Sequence, residues 1–171
     1  MGDLVAAVEV RVAGPHDAPG IAAVLNTVIA SGAPVAFDRP VTVESERRYL
    51  AEFSPRGVFH VALDSDATSI IGVQAVEPFG ASPGAFDHVG SIGTYVDVAH
   101  RRRGVAAALF EATFAAARVR GFEKIMAFVR EDNAAGQAAY AKHGFCVVGT
   151  AARHAKIDGR YFDEVILERL L

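Results

Sequence analysis

The sequence is short of cysteine, of excess charge and of long apolar runs. One cysteine, Cys146, in 171 residues rules out an intrachain disulfide and fits a reducing compartment. The formal net charge of −3 gives no global pull toward nucleic acid, so any basic site is local. No stretch approaches the ~20 apolar residues of a membrane span. The opening MGDLVAAVEV has no basic region before an apolar core, and Ala6 stands where a myristoylation signal needs Ser or Thr. Internal repeats and low-complexity linkers are absent. These absences predict a cytoplasmic protein of one domain, residues 1–171, with neither a membrane nor a nucleic-acid partner.

What is present is an ordinary globular mixture, 51% hydrophobic and 22% charged. VEVRVAG alternates as a strand from Val8 to Gly14. The apolar residues Ile21, Val24, Leu25 and Val28 fall at helical spacing in a helix that Gly32 closes. After the loop APVAFDRP, Thr42 is placed to cap a second helix, TVESERRYLAEF. VFHVAL, IIGVQAVEPF and VGSIGTYVDV read as strands, with DSDATS as a turn and GASPGAFDH as a loop between them. An alanine-rich helix ends near Arg120, and KIMAFV is the next strand. A helix from Asn133 to His143 and the strands FCVVGTA and YFDEVILERLL complete the chain. Early strand pairs followed by strand–helix alternation predict an α/β mixed sheet of about seven strands flanked by helices on both faces. The unit from Val89 to Val129 is expected to be a right-handed parallel crossover. Cys146 opens an apolar strand and is expected in the core.

Two stretches carry chemistry. In AHRRRGVAAALF, three arginines run into Gly104 at a strand-to-helix turn. A helix N-terminus presents unpaired N–H groups and a positive dipole end, which together bind phosphate. Gly104 admits close backbone approach, Ala106 nearly so, and Arg101, Arg102 and Arg103 offer planar forks to phosphate oxygens. Taken alone, such a triplet is more often a solvated basic face than a site, since cations there oppose the helix dipole. It is neither a Walker loop nor a dinucleotide fingerprint. In DNAAGQAAYAKHGF, Asn133 fits an N-cap, Tyr140 lies two turns on along the same face, and Gly144 fits the residue after the helix with Phe145 packing beyond it. By itself that describes a capped helix with an aromatic in the core.

Together these stretches resemble the GCN5-related N-acetyltransferase (GNAT) superfamily. Its acetyl-CoA motif, an aromatic-bearing strand followed by Gln/Arg-x-x-Gly-x-Gly/Ala, reads here as YVDVAHRRRGVAAAL, with Arg101, Gly104 and Ala106 on the motif positions. Its second motif matches Asn133, Tyr140, Gly144 and Phe145. GAPVAFDRP and IDGRYFDEVILERLL look most like the phosphinothricin-acetyltransferase branch. Ser91 stands where that branch usually carries a glutamate, and Tyr140 where it often carries a histidine. The resemblance implies the GNAT fold and transfer of an acetyl group from acetyl-CoA to the primary amine of a small molecule, an amino acid or a phosphinothricin-like analogue. A non-catalytic acyl-CoA-binding or regulatory module, or a protein N-acetyltransferase, remains open on the same residues.

The resemblance also implies the site. Acetyl-CoA would lie on Val96, Val98, Arg101, Arg102, Arg103, Gly104, Val105 and Ala106, with Asn133 nearby. The pantetheine arm would pair with the strand edge at Val96 and Val98. Tyr140 is the candidate acid, since a phenol of reference pKa ~10 can protonate a thiolate whose thiol pKa is ~8.5. Glu77, at a strand end beside Pro78, is the candidate base, with Ser91 able to hold a relay water. Phe37, His88 and Tyr161 are candidates for the acceptor pocket. Asp97 is expected to point away from the thioester. Metal is not expected, and family members often dimerise, so a homodimer is.

Overall fold

The computed structural model describes residues 8–80 and 84–171. The predicted loop over 80–88 therefore falls partly outside the described residues. Seven strands form one sheet: β1 (Glu9–Val12), β2 (Val58–Leu63), β3 (Ile70–Pro78), β4 (Val89–Val96), β5 (Lys124–Arg130), β6 (Cys146–Ile157) and β7 (Arg160–Leu170). Their spatial order is β1-β2-β3-β4-β5-β7-β6. Every neighbouring pair is antiparallel except β4–β5, which is parallel.

Four helices cover the sheet: α1 (Ala18–Ala30), α2 (Val43–Glu52), α3 (Val105–Val119) and α4 (Ala134–Lys142). On one face Ile21, Val24 and Leu25 of α1 pack against Phe59, Val61 and Val73. On the other, Phe110 and Phe114 of α3 and Tyr140 of α4 pack with Ile125, Ala127, Val129 and Leu167. Strand alternation makes this possible, since successive residues of β3 feed opposite cores. The Thr42 cap of α2 is as expected, its hydroxyl accepting from the Ser45 N–H at 3.0 Å. Before α1, a 3-10 turn over Pro15–Asp17 leads into the helix. There the buried Asp17 accepts two bonds from Arg11, both at 2.7 Å, and one from the Gly14 N–H at 2.7 Å.

Three expectations differ from the structure. β4 ends at Val96, so Val98 lies not on the strand but at the start of a 3-10 turn, Val98–His100, capped by the Asp97 carboxylate. β6 runs to Ile157, six residues past its predicted end, because Asp158 and Gly159, both at positive φ, close a two-residue hairpin with β7. Cys146 is exposed, because its strand is the sheet edge and pairs only with β7.

Candidate active site

The site begins with an unequal pairing. β4 follows β3 from Val96 opposite Gly72 to Gly90 opposite Pro78. Against β5 it pairs only at Val89, Gly90 and Ser91, with Lys124, Ile125 and Met126. Beyond Ser91 the two parallel strands have no paired residues, so a fork opens and one edge of Ile92–Val96 has no strand beside it. A free strand edge accepts an extended, peptide-like molecule.

Tyr140 reaches into this fork from α4. Its hydroxyl donates to Thr94 Oγ1 at 3.1 Å, and the fully buried Gln74 donates to the same oxygen at 2.9 Å. The ring is clamped by Phe110 and Phe145, with centroids 5.6 and 5.0 Å away. Burial, the dominant cause, pushes the phenol well above its ordinary value, and the bond to Thr94 offsets only part of that rise. Tyr140 therefore keeps its proton at neutral pH.

The candidate anion cradle follows the end of the same strand. Gly104 caps α3 at φ 83°, and no side chain caps the helix N-terminus, so its first N–H groups face outward. Arg102 also has positive φ, at 60°, and Arg101, Arg102, Arg103 and Gly104 are all exposed. A Cβ on Gly104 would meet no protein atom within 4 Å. The glycine is thus required by its backbone conformation, not by protein packing, and the space outside it is open. Asn133 is occupied differently. Its Oδ1 accepts from the Gly136 N–H at 2.8 Å, and its Nδ2 donates to the Pro34 carbonyl at 3.1 Å, tying α4 to the loop before α2.

On the opposite side of the sheet from Tyr140 lies a cavity of about 480 Å³ between α1, α2, β3 and β4. Phe37, Glu77 and Ser91 line it, and the register sets Glu77 directly opposite Ser91. Phe37 leans on Tyr95 with ring centroids 5.5 Å apart. Tyr95 is pushed up to about 12, first by burial and then by the charge of Glu164. Tyr49 donates to Glu77, and its phenol is raised by burial and by that carboxylate. Two further candidates are placed elsewhere. His88 is exposed, and its carbonyl accepts the N–H groups of Glu123 and Lys124. Tyr161 is 49% exposed on β7 between the cations of Arg153 and Lys156.

Sequence reasoning missed Thr94, Gln74, Glu46 and Tyr49. Thr94 carried a signal, since it alternates with Gly93 and Tyr95 and so had to face α4. Glu46 and Tyr49 carried one only in part: their spacing put them on one helical face, but not over which cavity. Among the described residues no group of three or more His, Cys, Asp or Glu side chains is arranged to hold a metal, and no helix is long and apolar enough to cross a membrane.

Comparison with known proteins points to one family. YwnH of Bacillus subtilis (strain 168), which carries a provisional name as a phosphinothricin acetyltransferase, is 29% identical over 161 residues, 94% of this chain and 98% of its own. The L-methionine sulfoximine/L-methionine sulfone acetyltransferase of Pseudomonas aeruginosa is 24% identical over 163 residues, 93% of this chain and 92% of its own. The crystal structure of a GNAT superfamily phosphinothricin acetyltransferase from Sinorhizobium meliloti in complex with acetyl-CoA superposes with a TM-score of 0.85 at 19% identity, over 96% of this chain and 88% of that one. The family model described as acetyltransferase (GNAT) family matches residues 30–145, more than half of the chain, and the two motifs, the forked strands and the fold agree with it: this protein is a member of the GNAT acetyltransferase family.

Proposed function

We propose that the protein acetylates the primary amine of a small molecule at the β4–β5 fork, with acetyl-CoA as acyl donor. The observation that carries this is the placement of one buried, protonated phenol, Tyr140, at the open side of the fork, with a cavity on the other face of the same strand. A cavity of about 480 Å³ suits a small acceptor rather than a folded partner. The printed names of the relatives make amino-acid analogues the first acceptors to try.

The residues present fit acetyl-CoA. The uncapped N-terminus of α3 and the open space at Gly104 suit a pyrophosphate, with Arg101 to Arg103 around it and the amides of Val105 and Ala106 at its base. The free edge ending at Val96 suits the pantetheine arm, and Val98, just beyond it, supplies a further N–H. Bound acetyl-CoA supplies the activated thioester. The chain's own groups handle the protons. An ammonium has no lone pair, so the acceptor must first lose a proton, and Glu77 takes it, directly or through a water held by Ser91. Tyr140 holds a proton at Oη for the departing sulfur, and burial keeps the phenol in its protonated form. A single domain over 1–171, a cytoplasmic location, a homodimer and the absence of metal, nucleic acid or membrane from its work complete the proposal. Exposed Val147 and Val148 on edge strand β6, at 61% and 49%, support the homodimer. The test is thiol release from acetyl-CoA over a panel of primary amines, with mass spectrometry of the product. Release that depends on the amine and yields the N-acetyl product is expected. Tight acetyl-CoA binding with no release for any amine would leave only an acyl-CoA-binding module.

A further inference from the structure

The acceptor cavity is walled by Ile21, Leu25, Phe59 and Val73, and it carries two ionisable carboxyls, Glu77 and Glu46. They differ in circumstance. Glu77 is exposed at the fork end and already accepts a bond from Tyr49. Glu46, on the first turns of α2, is only 5% exposed, and its Oε1 has no hydrogen-bond partner. A buried carboxyl left unpartnered is costly. None of the lining side chains is Lys, Arg or His. The stretches outside the described residues, 1–7 and 81–83, contain none either. Arg130, whose Nη1 donates to the Val35 carbonyl in the loop that carries Phe37, is committed to Asp132 at 2.6 Å and to the Phe162 ring at 3.8 Å.

We propose that the natural acceptor is a small aliphatic dication without a carboxylate, whose second cationic group is held by Glu46 while its reacting amine lies between Glu77 and the fork. This rests on the acetyl-transfer reading above. The reacting nitrogen must be neutral when it attacks, so it cannot be the lasting counter-ion of Glu46, and a second cation is needed. The apolar walls between the two carboxyls suit a methylene chain. An α-carboxylate, as in the amino-acid analogues for which the relatives are named, would enter a cavity with two acids and no base, a charge arrangement that rejects it.

Cadaverine, pentylamine, aminopentanol and methionine sulfone, compared by thiol release with the wild type and Glu46→Gln, test this. In the wild type, kcat/KM for cadaverine should exceed that of each other amine by about tenfold or more, the scale of one hydrogen bond to a charged group. Glu46→Gln should raise KM for cadaverine about tenfold, leave kcat within about threefold, and leave pentylamine unchanged. Aminopentanol equal to cadaverine in the wild type would mean that Glu46 works as a neutral donor and would overturn the claim. Preference for methionine sulfone would overturn it while leaving acetyl transfer intact. No release with any amine, despite acetyl-CoA binding, would overturn acetyl transfer itself. Because the wild-type preferences alone decide, the test survives a Glu46→Gln variant that does not fold.

Discussion

Removing one oxygen atom from Tyr140 separates its role in packing from its role in proton transfer. Tyr140→Phe keeps the ring between Phe110 and Phe145 and deletes only the hydroxyl that donates to Thr94 at 3.1 Å. Thr94 Oγ1 still accepts from Gln74 at 2.9 Å, so no buried group is orphaned. The stability loss is then that of one neutral hydrogen bond, about 1 kcal/mol, or roughly 2–4 °C of melting temperature in a chain of this size. Loss of a positioned acid costs far more in rate, about 100-fold, equivalent to ~2.7 kcal/mol of barrier. Stopped-flow or continuous thiol release with a good amine gives kcat, and calorimetry gives acetyl-CoA affinity, which should stay within about threefold. A kcat within threefold of the wild type would refute the acid role. So would an affinity loss as large as the rate loss, which would make Tyr140 a binding contact.

Other perturbations have definite signs. Gly104→Val forces a branched residue to φ 83°, costing about 1–3 kcal/mol of stability by thermal melting, and its side chain enters the cradle, so acetyl-CoA affinity should fall at least tenfold by calorimetry. Asp17→Asn weakens the buried pair with Arg11, and since Arg11 is 35% exposed the expected cost is about 2 kcal/mol, roughly 4–8 °C. The Arg11 hydrogen bond holds the Asp17 carboxyl below its unfolded value, so this contribution is present above the ordinary carboxylate range and disappears as pH falls through the folded value. Burial pushes Glu46 the other way, so it costs stability once pH exceeds the unfolded carboxylate value. Glu46→Gln should accordingly melt higher than the wild type near neutral pH and lose that advantage in acid.

Local signals in the chain were legible and long-range ones were not. Thr42 and Gly32 announced helix ends because capping and positive φ are decided within a few residues. The cradle was legible because a strand, a glycine and a helix start are contiguous in sequence. The polar half of β6 was invisible because ARHAKI faces solvent on an edge strand and lacks an apolar alternation. Cys146 was misjudged for the same reason, since only the sheet order puts β7 inside β6. Glu77 and Ser91 were nominated from their residue types, but that they face each other follows from the β3–β4 register. Glu46 escaped notice because an acidic residue on an amphipathic helix reads as solvated until the cavity beneath it is known.

The most direct test of the whole scheme is a crystal structure grown with acetyl-CoA. The account predicts the pyrophosphate on the amides of Gly104 to Ala106, the pantetheine arm along the free edge of β4, and the sulfur in the fork within hydrogen-bond reach of Tyr140 Oη. A pyrophosphate bound elsewhere, or a sulfur lying on the far side of β4 from Tyr140, would contradict it.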